Sequence, residues 1–418
     1  MEKYYRSLKQ SIKFLNSVWL KQMPPMKIIP VLKRFFLILS FVLVCCKTHG
    51  QEFERYKTFG DTLFFSTSLG FEKKISIMVP KDYQPGLNAA GFPLIIIFDT
   101  QNKRSYQYIQ RTIDYLTSNE QMPACIVLGV ESAMEERYAE TQLEQSDSLA
   151  FGSKTEQFIF DELIPYAKTA LNAMDFKLLI GHSRYGYFTT YLLTKRPNDL
   201  NAVISLSPFF KQKNVNLVDS MAKMIPQFSK SNMLYYRFGI GNDYPEDFKL
   251  MLDRINFTNE QYPHVNIRGT LLKEAGHNVT PGLMIATALY EIFEFWSSQQ
   301  NAYIRNETKT IDSLGFFTEQ MNLHYGAPLK FSLGTLNGKG WYFFNEGEYK
   351  KAIQAWEKMM EFYPNFSEGY LYMIYALKEL KQDYSSVYKK LEQGLTTTRF
   401  YTEDELKDLK AEIKELEK

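Results

Sequence analysis

The stretch FKLLIGHSRYGYFTTYLL (176–193) decides how this chain is read. Its first five residues are largely apolar, as expected for a strand covered on both faces. Gly181-His182-Ser183-Arg184-Tyr185-Gly186 follows, and then apolar residues at helical spacing. Strand, tight turn and helix in that order can hold a serine hydroxyl above a sheet edge, with helix-start N–H groups aimed at the same point. Small residues flank such a serine because strand and helix backbones crowd there. The pattern Gly-x-Ser-x-Gly holds at Gly181 and Ser183, but Tyr185 stands at its last position and Gly186 comes one step later.

The flanking sequence has the same character. An opening antiparallel pair is predicted over 62–68 and 73–80. Strands then follow at 94–98 (LIIIF), 125–130 (CIVLGV), 176–180, 202–206 (AVISL), 233–238 and 265–272. Most of the later runs are apolar throughout, as in a parallel sheet. Helical spacing lies between them, for example over 155–171, and a closing helix is expected over 281–297, opening at Pro281. The fold class is therefore α/β, a doubly wound and mostly parallel sheet of about eight strands, occupying residues 51–300.

From about residue 302 strand signals cease, and residues 301–418 read as an all-α extension. In GKGWYFFNEGEYKKAIQAWEKMMEFYPN (338–365), Gly340, Phe343, Gly347, Tyr349, Ala352, Trp356 and Pro364 stand at tetratricopeptide spacings. A looser copy follows, with Tyr384 thirty-five positions after Tyr349. A capping-box start at 402–405 opens a last, charged helix. Fewer than ~3 such units do not stand alone. The expectation is a region that packs on the α/β domain, or a short appendage for a protein partner.

Of 418 residues, 45% are hydrophobic and 23% charged, which suits two or three folded domains. The net charge of +2 hides an asymmetry. Residues 1–50 hold nine basic residues and one acidic residue, leaving 40 basic and 46 acidic residues in 51–418, a net of −6. A body of that sign argues against nucleic-acid binding. Lys33-Arg34 precedes twelve uncharged residues, FFLILSFVLVCC (35–46), too short a run for the ~20 residues of a spanning helix. Residues 1–50 read as a secretory signal peptide, cleaved near Gln51, with a second plausible start at Met26. A retained anchor and a lipoprotein acylated at Cys46 are the alternatives, and only the lipid would bring a membrane partner. A periplasmic or secreted protein is expected either way. Cys125, the one cysteine after residue 50, sits in an apolar run and reads as core.

These stretches together resemble the esterase D-like family of α/β hydrolases, which includes siderophore esterases, S-formylglutathione hydrolases, feruloyl and acetylxylan esterases and mycolyltransferases. The resemblance spans roughly residues 60–298. It rests on VPKDY (79–83), PLIIIFD (93–99), VLGVESAMEERYAET (127–141), FIFDELIPYA (158–167), IGHSRYG (180–186), ISLSPFF (204–210) and EAGHN (274–278). The family usually reads Gly-His-Ser-x-Gly-Gly at the serine, and Asp-Gly where this chain has Asp99-Thr100.

The resemblance implies a serine esterase that works through an acyl-enzyme. Such a serine needs a base, and the base an orienting acid, in the chain order Ser…Asp/Glu…His. Ser183 is the expected nucleophile. Among His182, His264, His277 and His324, His277 stands where the family has its base. Asp243 matches the family's acid turn, with Glu246 and Asp247 as alternatives; some relatives manage with a Ser–His pair alone. The oxyanion hole is expected from the backbone N–H of Arg184 and, by resemblance, of Thr100 or Gln101. Arg137, in the stretch similar to the family's R-x-x-E-x-T segment, is a candidate for the substrate pocket or for an ion pair, and Phe209 for the pocket or the core. No metal-ligand spacing and no dinucleotide fingerprint occurs, so no cofactor is expected. The substrate would be a small-molecule or saccharide ester. Acyl transfer to an alcohol, and a catalytically inactive binding protein, are the other readings of the same scaffold.

Overall fold

The computed structural model describes residues 53–84, 91–143, 150–259, 261–305, 313–398 and 400–416. The segment read as a signal peptide, with Cys46, lies outside the described residues. An antiparallel hairpin, β1 (Tyr56–Ser66) and β2 (Phe71–Pro80), opens the fold. β3 (Phe92–Phe98), β4 (Ile126–Val130), β5 (Ala173–His182), β6 (Ala202–Leu206), β9 (Leu234–Ile240) and β10 (Val265–Leu271) complete an eight-stranded sheet in the order β1-β2-β4-β3-β5-β6-β9-β10. The last six are mutually parallel. A separate two-residue pair, β7 (Lys211–Gln212) and β8 (Val215–Asn216), was not anticipated. The expected fold class is borne out.

Strand alternation explains the two layers. Ile95, Ile97, Leu178 and Ile180 point to one face and pack with α1 (Lys103–Ser118) and α8 (Thr280–Arg305). Leu94, Ile96, Phe98 and Leu179 point to the other. That face is covered by α4 (Ile164–Leu171), α5 (Arg184–Lys195), α6 (Leu217–Met224) and α7 (Pro245–Asn259), with α2 (Met134–Glu140) and α3 (Gly152–Gln157) preceding α4 in the chain. A π-helical turn (Phe158–Leu163) joins α3 to α4 within the predicted helix 155–171. β1 starts six residues before the predicted strand. Residues 57–61 lack apolar alternation, yet an edge strand needs only backbone pairing, and Tyr56 pairs with Pro80 past a bulge at Phe59. Cys125 is fully buried, and burial pushes its thiol up.

α8 does not stop at the predicted residue 297 but runs on to Arg305. Beyond it lie α9 (Ser313–Tyr325), α10 (Leu333–Asn345), α11 (Tyr349–Phe362), α12 (Glu368–Glu379), α13 (Ser385–Thr397) and α14 (Glu403–Leu416). These helices pack on the α/β body. One apolar cluster runs from Ile95 and Phe293 through Trp296 and Tyr325 to Leu336, Phe343 and Trp356. Hydrogen bonds cross the same seam. Trp296 Nε1 donates to Lys330 O (2.9 Å), Tyr325 OH donates to Ile292 O (3.0 Å), and Asn201 Nδ2 donates to Tyr325 O (2.9 Å). His324 stacks on Phe295 (3.9 Å) and its Nε2 meets Tyr235 OH (2.6 Å). Burial lowers this imidazole from 6.5 to about 4.

Two outcomes follow from this seam. A chain ending at residue 305 uncovers Trp296 and Tyr303, both almost wholly buried. Against the 51–418 chain it should aggregate or melt at lower temperature; an equally stable soluble fragment would show that the seam contributes nothing. His324 is neutral in the fold but takes a proton readily once unfolded. Stability should therefore be full above about pH 6.5 and decline as pH falls toward 4. His324→Phe should flatten that part of the stability–pH curve in urea titrations.

Candidate active site

At the end of β5 the backbone reverses at Ser183, whose φ of 58° and ψ of −119° lie in a region L-residues seldom occupy. The reversal is pinned on both sides: Ser183 N donates to Leu206 O (2.8 Å) and Tyr187 N to Ser183 O (2.9 Å). A Cβ on Gly181 would collide with the Tyr185 carbonyl, and one on Gly186 would crowd Leu206 O at 3.1 Å. These two glycines let α5 sit against β5 and β6. Asp99, Ser207 and Glu274 also have positive φ where strands give way to loops at this end of the sheet.

His277 and Asp243 come together 34 residues apart. His277 Nδ1 donates to Asp243 Oδ2 (2.6 Å), which leaves Nε2 as the ring's acceptor. Asp243 Oδ1 accepts from Gly241 N (3.1 Å), and Asn242 N donates to Ala275 O (2.9 Å). A Cβ on Gly241 would strike that same Ala275 carbonyl, so only glycine lets the two loops meet. His182 has its ring 4.8 Å from that of His277, and its Nε2 donates to His277 O (3.1 Å). Desolvation lowers the pKa of His182, consistent with a neutral donor. Among the described residues no hydrogen bond joins Ser183 to His277; such contacts often tighten only around a substrate.

The other carboxylates have different positions. Asp247 Oδ2 accepts from Phe210 N (3.1 Å) and anchors the 208–210 loop. Glu246 is exposed in the first turn of α7. Neither meets His277. His264 ends up at the far edge, its carbonyl accepting from Leu234 N, and His324 lies in the seam.

Of the two candidates after β3, Thr100 N–H is committed to Val130 O (3.3 Å). Gln101 N–H has no acceptor among the described residues, and its side chain bridges Asp99 Oδ1 (2.9 Å) and Ser132 N (3.1 Å). The N–H of Arg184, first residue of α5, is a helix-start donor with no acceptor among the described residues. Arg137 turns inward, forking onto both oxygens of Asp99 (2.7 Å each) and reaching His182 O (3.2 Å). It thus ties the elbow to the 99–101 loop. Phe209 is half-buried, stacked on Tyr187 (4.7 Å) and edge-on to Tyr244 (5.9 Å).

Sequence reading missed one assembly. Tyr185 is buried, stacked on Phe98 (4.8 Å), and its hydroxyl donates to Glu140. Glu140 also accepts from Ser132 Oγ (2.6 Å) and from Lys73 Nζ (2.5 Å), with the Lys73 and Glu140 side chains only 3% and 1% exposed. Desolvation, then Glu140, raises the Tyr185 phenol. Nothing in the local pattern marks Lys73 on β2 as buried; its partner comes from 67 residues away. Among the described residues no group of His, Cys, Asp and Glu could hold a metal ion. A cavity of about 130 Å³, lined by residues such as Phe92, Met174, Lys330 and Tyr363, lies at the strands' starting ends, away from Ser183.

Residues 66–237 match the family described as "Putative esterase". No curated protein matches the chain. Among solved structures, an uncharacterised protein from Capnocytophaga ochracea is similar with a TM-score of 0.55 at 16% identity, over 86% of this chain and 99% of its own. An IroE-like serine hydrolase from Shewanella oneidensis is similar with a TM-score of 0.57 at 14% identity, over 73% and 99%. At such identities the likeness is one of fold. The resemblance read from the sequence is borne out by the family match over residues 66–237.

The buried network makes a stability prediction. Glu140→Ala strands the Lys73 ammonium without its carboxylate and should cost about 3–5 kcal/mol, read as a lower urea midpoint. Tyr185→Phe, which removes one hydroxyl and keeps the stack on Phe98, should cost about 1–3 kcal/mol. A Glu140→Ala variant as stable as wild type would refute the role given to this pair.

Proposed function

We propose that this esterase-family chain is an exported serine hydrolase of carboxylic esters, with Ser183, His277 and Asp243 as its catalytic residues. The observation that carries the reading is the 2.6 Å pair of Asp243 and His277, on two interlocked loops beside a serine in a strained turn. The Asp243 carboxylate keeps the proton on His277 Nδ1, so Nε2 can accept one. Ser183 Oγ attacks the ester carbonyl carbon as its proton passes to His277 Nε2, and the carbonyl oxygen takes up the negative charge. The N–H groups of Arg184 and Gln101 stabilise that oxygen. The tetrahedral species collapses when His277 returns the proton to the departing alcohol oxygen, which leaves Ser183 acylated. Water then attacks the acyl carbon, giving His277 a proton that passes on to Ser183 Oγ, and the carboxylic acid leaves. Export rests on the basic and apolar run before residue 50. The helices after residue 305 fit a tetratricopeptide-like pair that buttresses the body.

Turnover of a p-nitrophenyl acyl ester series by the purified 51–418 chain tests this. Ser183→Ala and His277→Ala should fall close to background, a loss of roughly 10⁶, and Asp243→Asn by roughly 10⁴, as in a triad whose members act as one unit. Asp247→Asn, which loosens only the 208–210 loop, should lose far less than Asp243→Asn. Full activity in Ser183→Ala would end the serine-hydrolase reading. Transfer to an added alcohol in preference to water would make the protein an acyltransferase, and folded but inert wild type would leave a binding protein.

A further inference from the structure

Arg184 follows Ser183 directly, and its side chain has surroundings of its own. The guanidinium lies 4.4 Å over the Tyr138 ring and 6.0 Å from the Phe209 ring, and Nε donates to Thr141 Oγ1 (3.0 Å). Phe209 meets Tyr244 edge-on at 5.9 Å, and Tyr244 meets His277 edge-on at 6.2 Å. Arg184 therefore shares one aromatic wall with the proposed base.

What this cation lacks is an anion. Arg137 is forked on Asp99, Arg196 reaches Glu156, and Arg237 reaches Glu291. Arg184 has no carboxylate partner among the described residues, and its Nη2 is shielded from water with no acceptor. Tyrosine rings surround it instead, and burial pulls its affinity for the proton down. A half-buried guanidinium with an unused donor is costly to keep unless something that binds there brings the counter-charge. Its planar fork suits a carboxylate, and the aromatic rings around it suit an apolar spacer. The body's net charge of −6 offers anions no general attraction, so any preference for them must be local.

We infer that the Arg184 side chain is a specificity residue that receives a carboxylate carried by the ester substrate. This rests on the serine-esterase reading and goes beyond it by naming a charged substrate class. Two matched pairs of esters locate the carboxylate. p-Nitrophenyl hydrogen adipate against p-nitrophenyl hexanoate tests the acyl side, and 4-acetoxybenzoate against its methyl ester tests the alcohol side. In the wild-type chain at least one anionic ester should exceed its neutral match by about 10- to 100-fold in kcat/KM, the equivalent of one charge-assisted hydrogen bond, chiefly through KM. Arg184→Gln should bring that ratio close to one, and Arg184→Lys should restore part of it. Calorimetric binding of the same pairs to Ser183→Ala gives the comparison without turnover, with the anion tighter. Equal use and equal binding of both members of each pair, or a preference that survives Arg184→Gln, overturns the inference. Turnover that survives Ser183→Ala overturns the esterase reading instead.

Discussion

The reversal of the backbone at Ser183 is the constraint on which the rest of the site depends. A strand and a helix meet there at a spacing that admits no side chain at Gly181 and little at Gly186. Ser183 is held in a conformation that costs on the order of 1–3 kcal/mol. That cost is offset by bonds to Leu206 and Tyr187 and by burial of the whole inner face of α5. The usual glycine two residues after the serine is not required here. Tyr185 points down into the core, where Phe98, Glu140 and Ser132 receive it. The crowded position is the next one, and Gly186 occupies it.

Around that turn the polar groups are linked in two sets. Arg137, Asp99 and Gln101 join the elbow to the loop after β3. His182, Ala275 and Gly241 hold the loops that carry His277 and Asp243. The bonds from Arg137 to Asp99 and His182, from His182 to His277 and from Asn242 to Ala275 join elements far apart in sequence, so the site is positioned by the sheet beneath it and not by any one loop. Arg184 belongs to neither set: it is bonded by Thr141 but, among the described residues, neutralised by no carboxylate.

The helical region stands in a different relation to the sheet. α8 is both the last cover of one sheet face and the surface on which the later helices pack, so Trp296, Tyr325 and Trp356 belong to one core. The region's helical pairs could be read from spacing, but their dependence on the sheet could not. Nothing local says that His324 will lie against Phe295 and Tyr235, two surfaces contributed by the α/β body.

Hydrophobic runs and turn residues by themselves determined the sheet, because a strand buried on both faces has to be apolar along its length. LIIIF, CIVLGV and AVISL each became a central strand within two residues of the reading. The same patterns marked the turn at Ser183, whereas His277 and Asp243 were singled out by resemblance to the family's base and acid turn. An edge strand leaves no such mark, and β1 was read six residues short. Which of Asp243, Glu246 and Asp247 meets the histidine was decided only by how α7 lies against the 208–210 loop. Which residues after β3 keep a free N–H was decided by the pairing of Thr100 with Val130. Lys73 and Glu140 carry the same lesson: a charge can be buried only when its partner arrives from another part of the chain, and the arrival of partners is a property of the packed structure.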